Sequence, residues 1–137
     1  MMAGYSGTPL VKKLGIKPGD RIYVENGPDR YLKMLEPLPD GVSFVRRLTA
    51  RVNMIHLFTK EANTVQAKLK DYMHKIVADG MIWVSWPKKA AKIPTDVTED
   101  VIRKVALPLG LVDTKVCAVD EIWSGLKLVI RLENRKP

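Results

Sequence analysis

The order of strand-like and helix-like segments predicts an α/β fold with three layers, built on a mostly parallel sheet. Two segments, residues 52–58 and 81–86, are nearly continuous in apolar residues, as expected for strands that are covered on both faces. A helical pattern lies between them, and strand–helix–strand connections make neighbouring strands parallel. Two more strand-like segments close the chain without a helix between them, which predicts that the sheet ends in an antiparallel hairpin.

The first third of the chain contains short elements that are separated by turn residues. Its predicted elements are a helix over 9–14, a strand over 21–25, a helix over 29–35 and a strand over 42–46. The connection from the last of these to the strand that begins at Val52 is shorter than a usual parallel crossover. The second strand is therefore expected at a sheet edge or in an antiparallel direction.

The middle of the chain contains the clearest helix. Apolar residues recur there on one helical face, and Gly80 supplies a stop; they are Val65, Leu69, Tyr72, Met73 and Ile76. A loop bracketed by Pro87 and Pro94 follows the next strand. Thr98 then begins a second helix, which ends at Gly110.

The final hairpin is predicted over residues 115–122 and 126–133, with Ser124 and Gly125 as its two-residue turn. This register places Trp123 opposite Leu126. Because one face of the hairpin is almost wholly apolar, we expect Trp123 to be structural and to pack on a helix.

Composition indicates a basic globular protein. The chain has 137 residues, a formal net charge of +8 and a single cysteine. We therefore expect one domain over 1–137, with an N-terminal arm over 1–20 and a frayed tail over 134–137. One cysteine allows no internal disulfide, and there is neither a signal-peptide pattern nor an apolar stretch of membrane-spanning length. These features predict a cytoplasmic protein.

Two segments resemble class I S-adenosylmethionine-dependent methyltransferases. LGIKPGDRIYV (14–24) is similar to the lead-in and first strand of that family, and ADGMIWVSWP (78–87) to its helix-to-strand-five step. The resemblance implies a Rossmann-like fold that is truncated here, without the third strand and its helix. It also implies a cofactor site with a glycine-rich turn after the first strand and an acid after the second.

The chain departs from that pattern at both places. The turn after the first strand contains one glycine, Gly27, followed by Pro28, which has no N–H to donate. Arg46 and Arg47 stand where the acid is expected, and guanidinium groups suit phosphate better than a ribose diol. We therefore expect no S-adenosylmethionine cofactor, and a methyltransferase-like fold whose activity is lost or was never present.

The whole chain also resembles a bacterial family of small proteins with no assigned function. This likeness is carried by YSGTPLVKKLGIKPG (5–19), WPKKAAKIPTDVTEDVIR (86–103) and LGLVDTKVCAVDEIWSGLKLV (109–129). It implies no activity, because none is assigned to the family.

No catalytic or metal-binding motif stands out. His56 lies within an apolar strand and is interpreted as a core histidine with satisfied hydrogen bonds. His74 falls on the polar side of a helix, and Cys117 is expected to pack as a small apolar side chain. Two histidines and one cysteine at this spacing form no metal signature.

The candidate ligand site is the carboxyl edge of the sheet, where open α/β folds bind their ligands. Lys88 and Lys89 follow a strand directly, and we expect them to form an anion site with residues that reach the same edge, namely Asn26, Gly27, Thr59, Lys60 and Pro87. An acidic cluster gives secondary candidates, Asp96, Thr98, Glu99 and Asp100. For that cluster the favoured interpretation is charge at a helix N-terminus.

Three hypotheses for function remain open at this level. The first is a non-catalytic module that binds an anionic small molecule or a protein partner. The second is a divergent enzyme of the methyltransferase-like class that uses the same edge. The third is a non-specific nucleic-acid binder; the charge permits it, but no recognised motif supports it, and specific nucleic-acid recognition is not expected.

Overall fold

Six strands and four α-helices form the part of the chain that the computed structural model describes, residues 7–135. In chain order they are α1 (Leu10–Leu14), β1 (Arg21–Glu25), α2 (Tyr31–Met34), β2 (Ser43–Val45), β3 (Val52–Phe58), α3 (Ala62–Met73), β4 (Ile76–Pro87), α4 (Glu99–Leu109), β5 (Leu111–Ala118) and β6 (Trp123–Ile130). Two short 3-10 turns, Lys89–Ala91 and Leu132–Asn134, follow β4 and β6.

The strands form one sheet in the order β2-β1-β3-β4-β6-β5. The first four are parallel, and β6 runs antiparallel to both β4 and β5. The predicted mostly parallel sheet with a closing antiparallel hairpin is therefore confirmed. No further parallel strand lies outside β2 within residues 7–135, in agreement with the predicted truncation.

The second strand is a parallel edge strand. Because it is short, the brief connection from its end can still reach the start of β3. β2 has three residues and pairs with β1, so that Val45, Tyr23 and Ile55 lie side by side on β2, β1 and β3. After Val45 the chain must cross β1 and then run back along the sheet only from the level of Ile55 to Val52, the first residue of β3. Residues 46–51 span about 20 Å when extended, which covers two strand spacings of about 5 Å each and the return along the sheet.

Helices cover both faces of the sheet. On one face α3 and α4 pack on β3, β4 and β6, and the centre of this core contains Ile55, Leu69, Ile82, Ile102 and Leu126. On the other face α1 and α2 cover a second core, built around Leu14, Tyr31, Phe58, Met81 and Trp83. Both faces of the central strands are apolar because both are covered.

The hairpin register differs from the prediction. Its turn is formed by residues 119–122, and Gly125 pairs with Cys117 inside the ladder. The carboxylate of Asp120 accepts hydrogen bonds from the backbone N–H groups of Ile122 and Trp123, at 2.8 and 2.7 Å. An aspartate that bonds to the backbone two residues further along favours a turn, and it outweighs the Ser-Gly signal here. Trp123 consequently lies opposite Pro87 rather than Leu126.

The two chain ends are described in part. Residues 1–6 of the predicted arm, including the first two residues of the 5–19 motif, lie outside the described residues, as do 136–137 of the predicted tail. Arg135 is held by a hydrogen bond from its Nε to the carbonyl of Ile130 at 2.8 Å. Among the described residues, no helix has the length and apolar character needed to cross a membrane.

Candidate ligand site at the carboxyl edge of the sheet

The loops that follow β1, β3 and β4 meet at one edge of the sheet. The last residues of β1 and β3 are nearly level, since Glu25 lies beside Leu57 and Phe58 beside Ser85. The sequence-predicted residues therefore do lie on a common edge, because the ends of adjacent parallel strands point the same way.

The turn after β1 is shaped by packing. Asn26 is exposed and has a left-handed backbone, with φ of 59°. A Cβ atom on Gly27 would lie 2.6 Å from Cγ1 of Val24. The glycine thus allows the turn to fold tightly back over its own strand. The backbone carbonyl of Pro28 then accepts from the N–H of Tyr31 at the start of α2.

Thr59 and Lys60 form the floor on which the loop after β4 rests. The N–H of Thr59 donates to the carbonyl of Ser85 at 3.0 Å, and its Oγ1 accepts from the N–H of Glu61. The carbonyl of Lys60 accepts from the Oγ1 of Thr95 at 2.7 Å and from the N–H of Asp96. The Lys60 side chain itself is exposed.

Lys88 and Lys89 directly follow Pro87, the last residue of β4; Lys88 is still extended, and the chain leaves the strand direction at Lys89. Pro87 is buried and pairs with Trp123, and the N–H of Lys88 donates to the carbonyl of Ile122 at 2.8 Å. Lys89 begins the 3-10 turn and is exposed. The backbone here is fixed by the β5–β6 turn, while both ammonium groups are left on the surface.

The acidic candidates are separated by the fold. Asp96 accepts from the N–H of Ala62 at 2.7 Å, so it caps the N-terminus of α3 rather than its own helix. Thr98 caps α4 through a hydrogen bond from the N–H of Val101 to its Oγ1 at 3.2 Å. The sequence alone could not show the first of these contacts, because α3 lies over thirty residues earlier.

Glu99 and Asp100 are committed to an ion-pair network. Both bind the guanidinium of Arg103, at 2.9 and 3.1 Å, and Asp113 on β5 binds its Nε at 3.0 Å. Hydrogen bonding to Arg103 lowers the pKa of Asp113 below its usual value. The interpretation as helix N-terminal charge fits this arrangement, and these residues are not part of the edge site.

Cations without acidic partners follow three of the four parallel strands. Among residues 7–135 no carboxylate lies within ion-pair distance of any of five exposed or half-exposed groups, which are Arg46, Arg47, Lys60, Lys88 and Lys89. Arg30 in the turn after β1 lies 3.9 Å from Asp120. Asp29 and Glu61 belong to the same edge and partly offset the positive charge.

Glu25, which ends β1, is held by three side chains. Its carboxylate accepts from the hydroxyl of Tyr72, from Lys68 at 2.9 Å and from Tyr23 at 3.4 Å. Burial works against its charge, but the hydrogen bonds from Tyr72 and Lys68 outweigh it and lower the pKa of Glu25. Burial, and then the bond to Glu25, raises the pKa of Tyr72. The alternation of Tyr23 and Glu25 on one strand face was the only local signal for this cluster.

A serine and a histidine are hydrogen-bonded within the core beneath this edge. Nε2 of His56 lies 2.8 Å from Oγ of Ser85, and Nδ1 lies 2.8 Å from the hydroxyl of Tyr31. Both His56 and Ser85 are completely buried, so the pair cannot reach a substrate in this conformation. The interpretation of His56 as a satisfied core histidine is confirmed.

No metal centre is formed by the described residues. Within 7–135, His, Cys, Asp and Glu side chains nowhere gather in a group of three suited to a metal ion. Cys117 is half-buried, and burial raises the pKa of its thiol.

Solved structures with a similar fold include several methyltransferases. A SAM-dependent methyltransferase from Aquifex aeolicus aligns with a TM-score of 0.59 and 13% identity, over 88% of this chain and 88% of its own. The magnesium protoporphyrin IX methyltransferase ChlM from Synechocystis PCC 6803, with bound SAM, aligns with a TM-score of 0.57 and 10% identity, over 88% and 74%. The chain has the methyltransferase fold.

The likeness is one of fold alone, because sequence identity is low throughout. TrmN from Thermus thermophilus aligns with a TM-score of 0.54 and 11% identity over 88% of this chain, which spans only 47% of TrmN. No protein-family model matches the sequence, and no curated protein matches it significantly.

Proposed function

We propose that this chain is a non-catalytic cytoplasmic module that binds a phosphate-bearing ligand at the carboxyl edge of its methyltransferase-like sheet. The observation that carries the proposal is the group of unpaired cations that follows β3 and β4 at that edge, namely Lys60, Lys88 and Lys89. Cations that follow neighbouring strands can converge on one anion, and unpaired surface charges are available to do so.

The residues present do not fit S-adenosylmethionine well. The turn after β1 offers one glycine, whose Cβ position is already occupied by Val24. The carboxylate of Glu25 is bound by Tyr72 and Lys68. Arg46 follows directly after β2, where the resemblance calls for an acid to bind the ribose. No step of methyl transfer is therefore assigned to these residues.

A divergent methyltransferase is the second candidate function. It is favoured by the fold, which is shared with proteins described as SAM-dependent methyltransferases, including one solved with SAM bound. The resemblance to a bacterial family without assigned function does not decide between the two candidates.

Titration with pyrophosphate and ATP tests the first candidate. We expect binding that weakens as salt rises and that falls roughly tenfold or more in the Lys88→Glu, Lys89→Glu double variant. A Lys70→Glu, Lys104→Glu variant is the matched control, because it changes net charge equally on exposed helix positions. Equal loss in both variants would indicate a general charge effect and would contradict the edge site. Binding of a protein partner in place of these phosphate ligands would contradict the phosphate site and favour a protein-binding module.

Calorimetry with S-adenosylmethionine tests the second candidate. We expect no binding tighter than the millimolar range, about −4 kcal/mol. Micromolar affinity would contradict the non-catalytic proposal and support the enzyme.

A further inference from the structure

A second candidate site lies at the opposite end of the strands. A cleft of about 430 Å³ opens at the amino edge of the sheet, near the start of β4 at Ile76 and just before β3 at Arg51. The last residues of α3 and α4, Met73 and Leu109, line it from one side. The volume falls within the range of small-molecule sites, about 300–1,000 Å³.

The lining combines an apolar floor with a basic rim. The floor is formed by Met73, Ile76, Ala78, Leu109 and Ile130. The charged side chains that line the cleft are Arg51 and Arg135, and no aspartate or glutamate is among its lining residues. This arrangement suits a ligand that carries an apolar body and one negative group.

The C-terminal wall of the cleft is held in place by specific contacts. After β6 the chain folds back, and the N–H of Arg131 donates to the carbonyl of Gly110 at 3.0 Å. A Cβ on Gly110 would lie 2.7 Å from Nδ2 of Asn134, so the glycine makes room for that side chain. Gly110 also has a φ of 97°, which favours glycine independently. The wall is therefore part of the fold rather than a loose end.

Both guanidinium groups retain free donors within the described chain. Arg135 uses its Nε to bind the carbonyl of Ile130, and no partner among residues 7–135 engages its two terminal nitrogens. Arg51 is exposed and makes no hydrogen bond or ion pair with the described residues. Guanidinium groups bind carboxylates in a planar, two-point geometry that a lysine cannot provide.

We propose that this cleft binds a small apolar monocarboxylate, with its hydrocarbon body on Met73, Leu109 and Ile130 and its carboxylate between Arg51 and Arg135. The site is separate from the carboxyl edge. It uses no residue of the proposed phosphate site, so either proposal can fail without the other.

Amide chemical shifts measured by NMR during titration of the full chain with octanoate test the site. We expect shifts centred on the floor residues, and affinity about tenfold weaker for octanamide, which has the same body without the charge. Arg51→Gln should weaken octanoate binding by a similar factor. Arg30→Gln, which changes an exposed arginine in the turn after β1 at the opposite edge, should leave octanoate binding unchanged.

Three outcomes would overturn the proposal. These are equal affinity for octanoate and octanamide, equal loss in the Arg51→Gln and Arg30→Gln variants, and shifts confined to the carboxyl edge. A further variant, Ala78→Leu, fills the floor of the cleft and is expected to abolish octanoate binding. Thermal unfolding of this variant checks that it is still folded. Unchanged octanoate affinity in folded Ala78→Leu would also contradict the site.

Discussion

His56 and Ser85 are hydrogen-bonded across two adjacent parallel strands, with Nε2 and Oγ 2.8 Å apart and both side chains completely buried. The hydroxyl of Tyr31, on α2, is hydrogen-bonded to the other ring nitrogen, Nδ1. In either tautomer one ring nitrogen donates and the other accepts, so all three side chains are satisfied. The ring also stacks on Phe58, with centroids 4.2 Å apart. This buried network therefore ties α2 to the centre of the sheet.

Burial of His56 makes the fold sensitive to acid. Burial lowers the pKa of His56 to about 3 from an ordinary value of 6.5. Between these values the unfolded chain binds a proton that the folded protein excludes. The contribution to stability is thus complete above pH 6.5 and is lost as pH falls towards 3, at about 1.4 kcal/mol per pH unit. We expect His56→Gln to flatten the pH dependence of the free energy of unfolding between pH 6 and 4 by up to about that amount.

A substitution that changes no titratable group provides the control for this measurement. Gln66 is exposed on α3, so Gln66→Ala should leave the slope as in the wild type. A His56→Gln slope equal to that of Gln66→Ala in denaturant titrations would show that His56 is not excluded from protonation.

Removing either hydroxyl that binds His56 should lower the free energy of unfolding, and the effects of the two removals should be coupled. Tyr31→Phe or Ser85→Ala leaves one ring nitrogen of His56 buried without a partner, and each is expected to destabilise the protein by about 1–3 kcal/mol. Because both hydroxyls act on the same ring, the two losses should not add. Urea unfolding of the single and double variants measures this; strict additivity would mean that the two hydrogen bonds are independent.

Gly27 is expected to be required for packing rather than for ligand contact. Gly27→Ala places a methyl 2.6 Å from Cγ1 of Val24, and overpacking of this kind costs about 1–3 kcal/mol. Val24→Ala removes the clashing methyl, so the double variant should recover part of the loss caused by Gly27→Ala. Thermal unfolding of the three variants is the measurement. If Val24→Ala gives no relief, the clash is not the reason for the glycine.

Trp123 is expected to stabilise the fold, although its partner differs from the sequence-based expectation. Its ring meets Phe58 of β3 edge to face, with centroids 5.1 Å apart, and it packs against the core that α1 and α2 cover. Since Trp123 is half-buried, we expect Trp123→Ala to cost about 3 kcal/mol, the low end for a tryptophan. Ile122→Ala is the control, because Ile122 is 40% exposed and should cost little. Equal melting temperatures for Trp123→Ala and the wild type would favour a partner-binding surface.

Local patterns in the sequence were sufficient for the class and order of the fold. Continuous apolar runs marked β3 and β4, a helical stripe marked α3, and their alternation implied parallel pairing. The carboxyl edge could be predicted as well, because the chain direction of a parallel strand determines where its end lies. Side-chain contacts at that edge could not be predicted. Asp96, assigned to its own helix by proximity in sequence, caps α3 instead.

Only the tertiary structure decided features that depend on pairs of residues distant along the chain. The direction of β2 depends on β1 lying between it and β3. Likewise, His56 acquires its partners from α2 and β4. The hairpin register is a different case, because two local turn signals, Asp120 and Ser124-Gly125, competed and the sequence pattern did not decide between them. Residue type and periodicity determine which face a side chain takes. Which neighbour the side chain contacts there depends on the packing of the whole chain. The reason is that the free energy gained from burial and from paired hydrogen bonds is distributed over many contacts between distant residues.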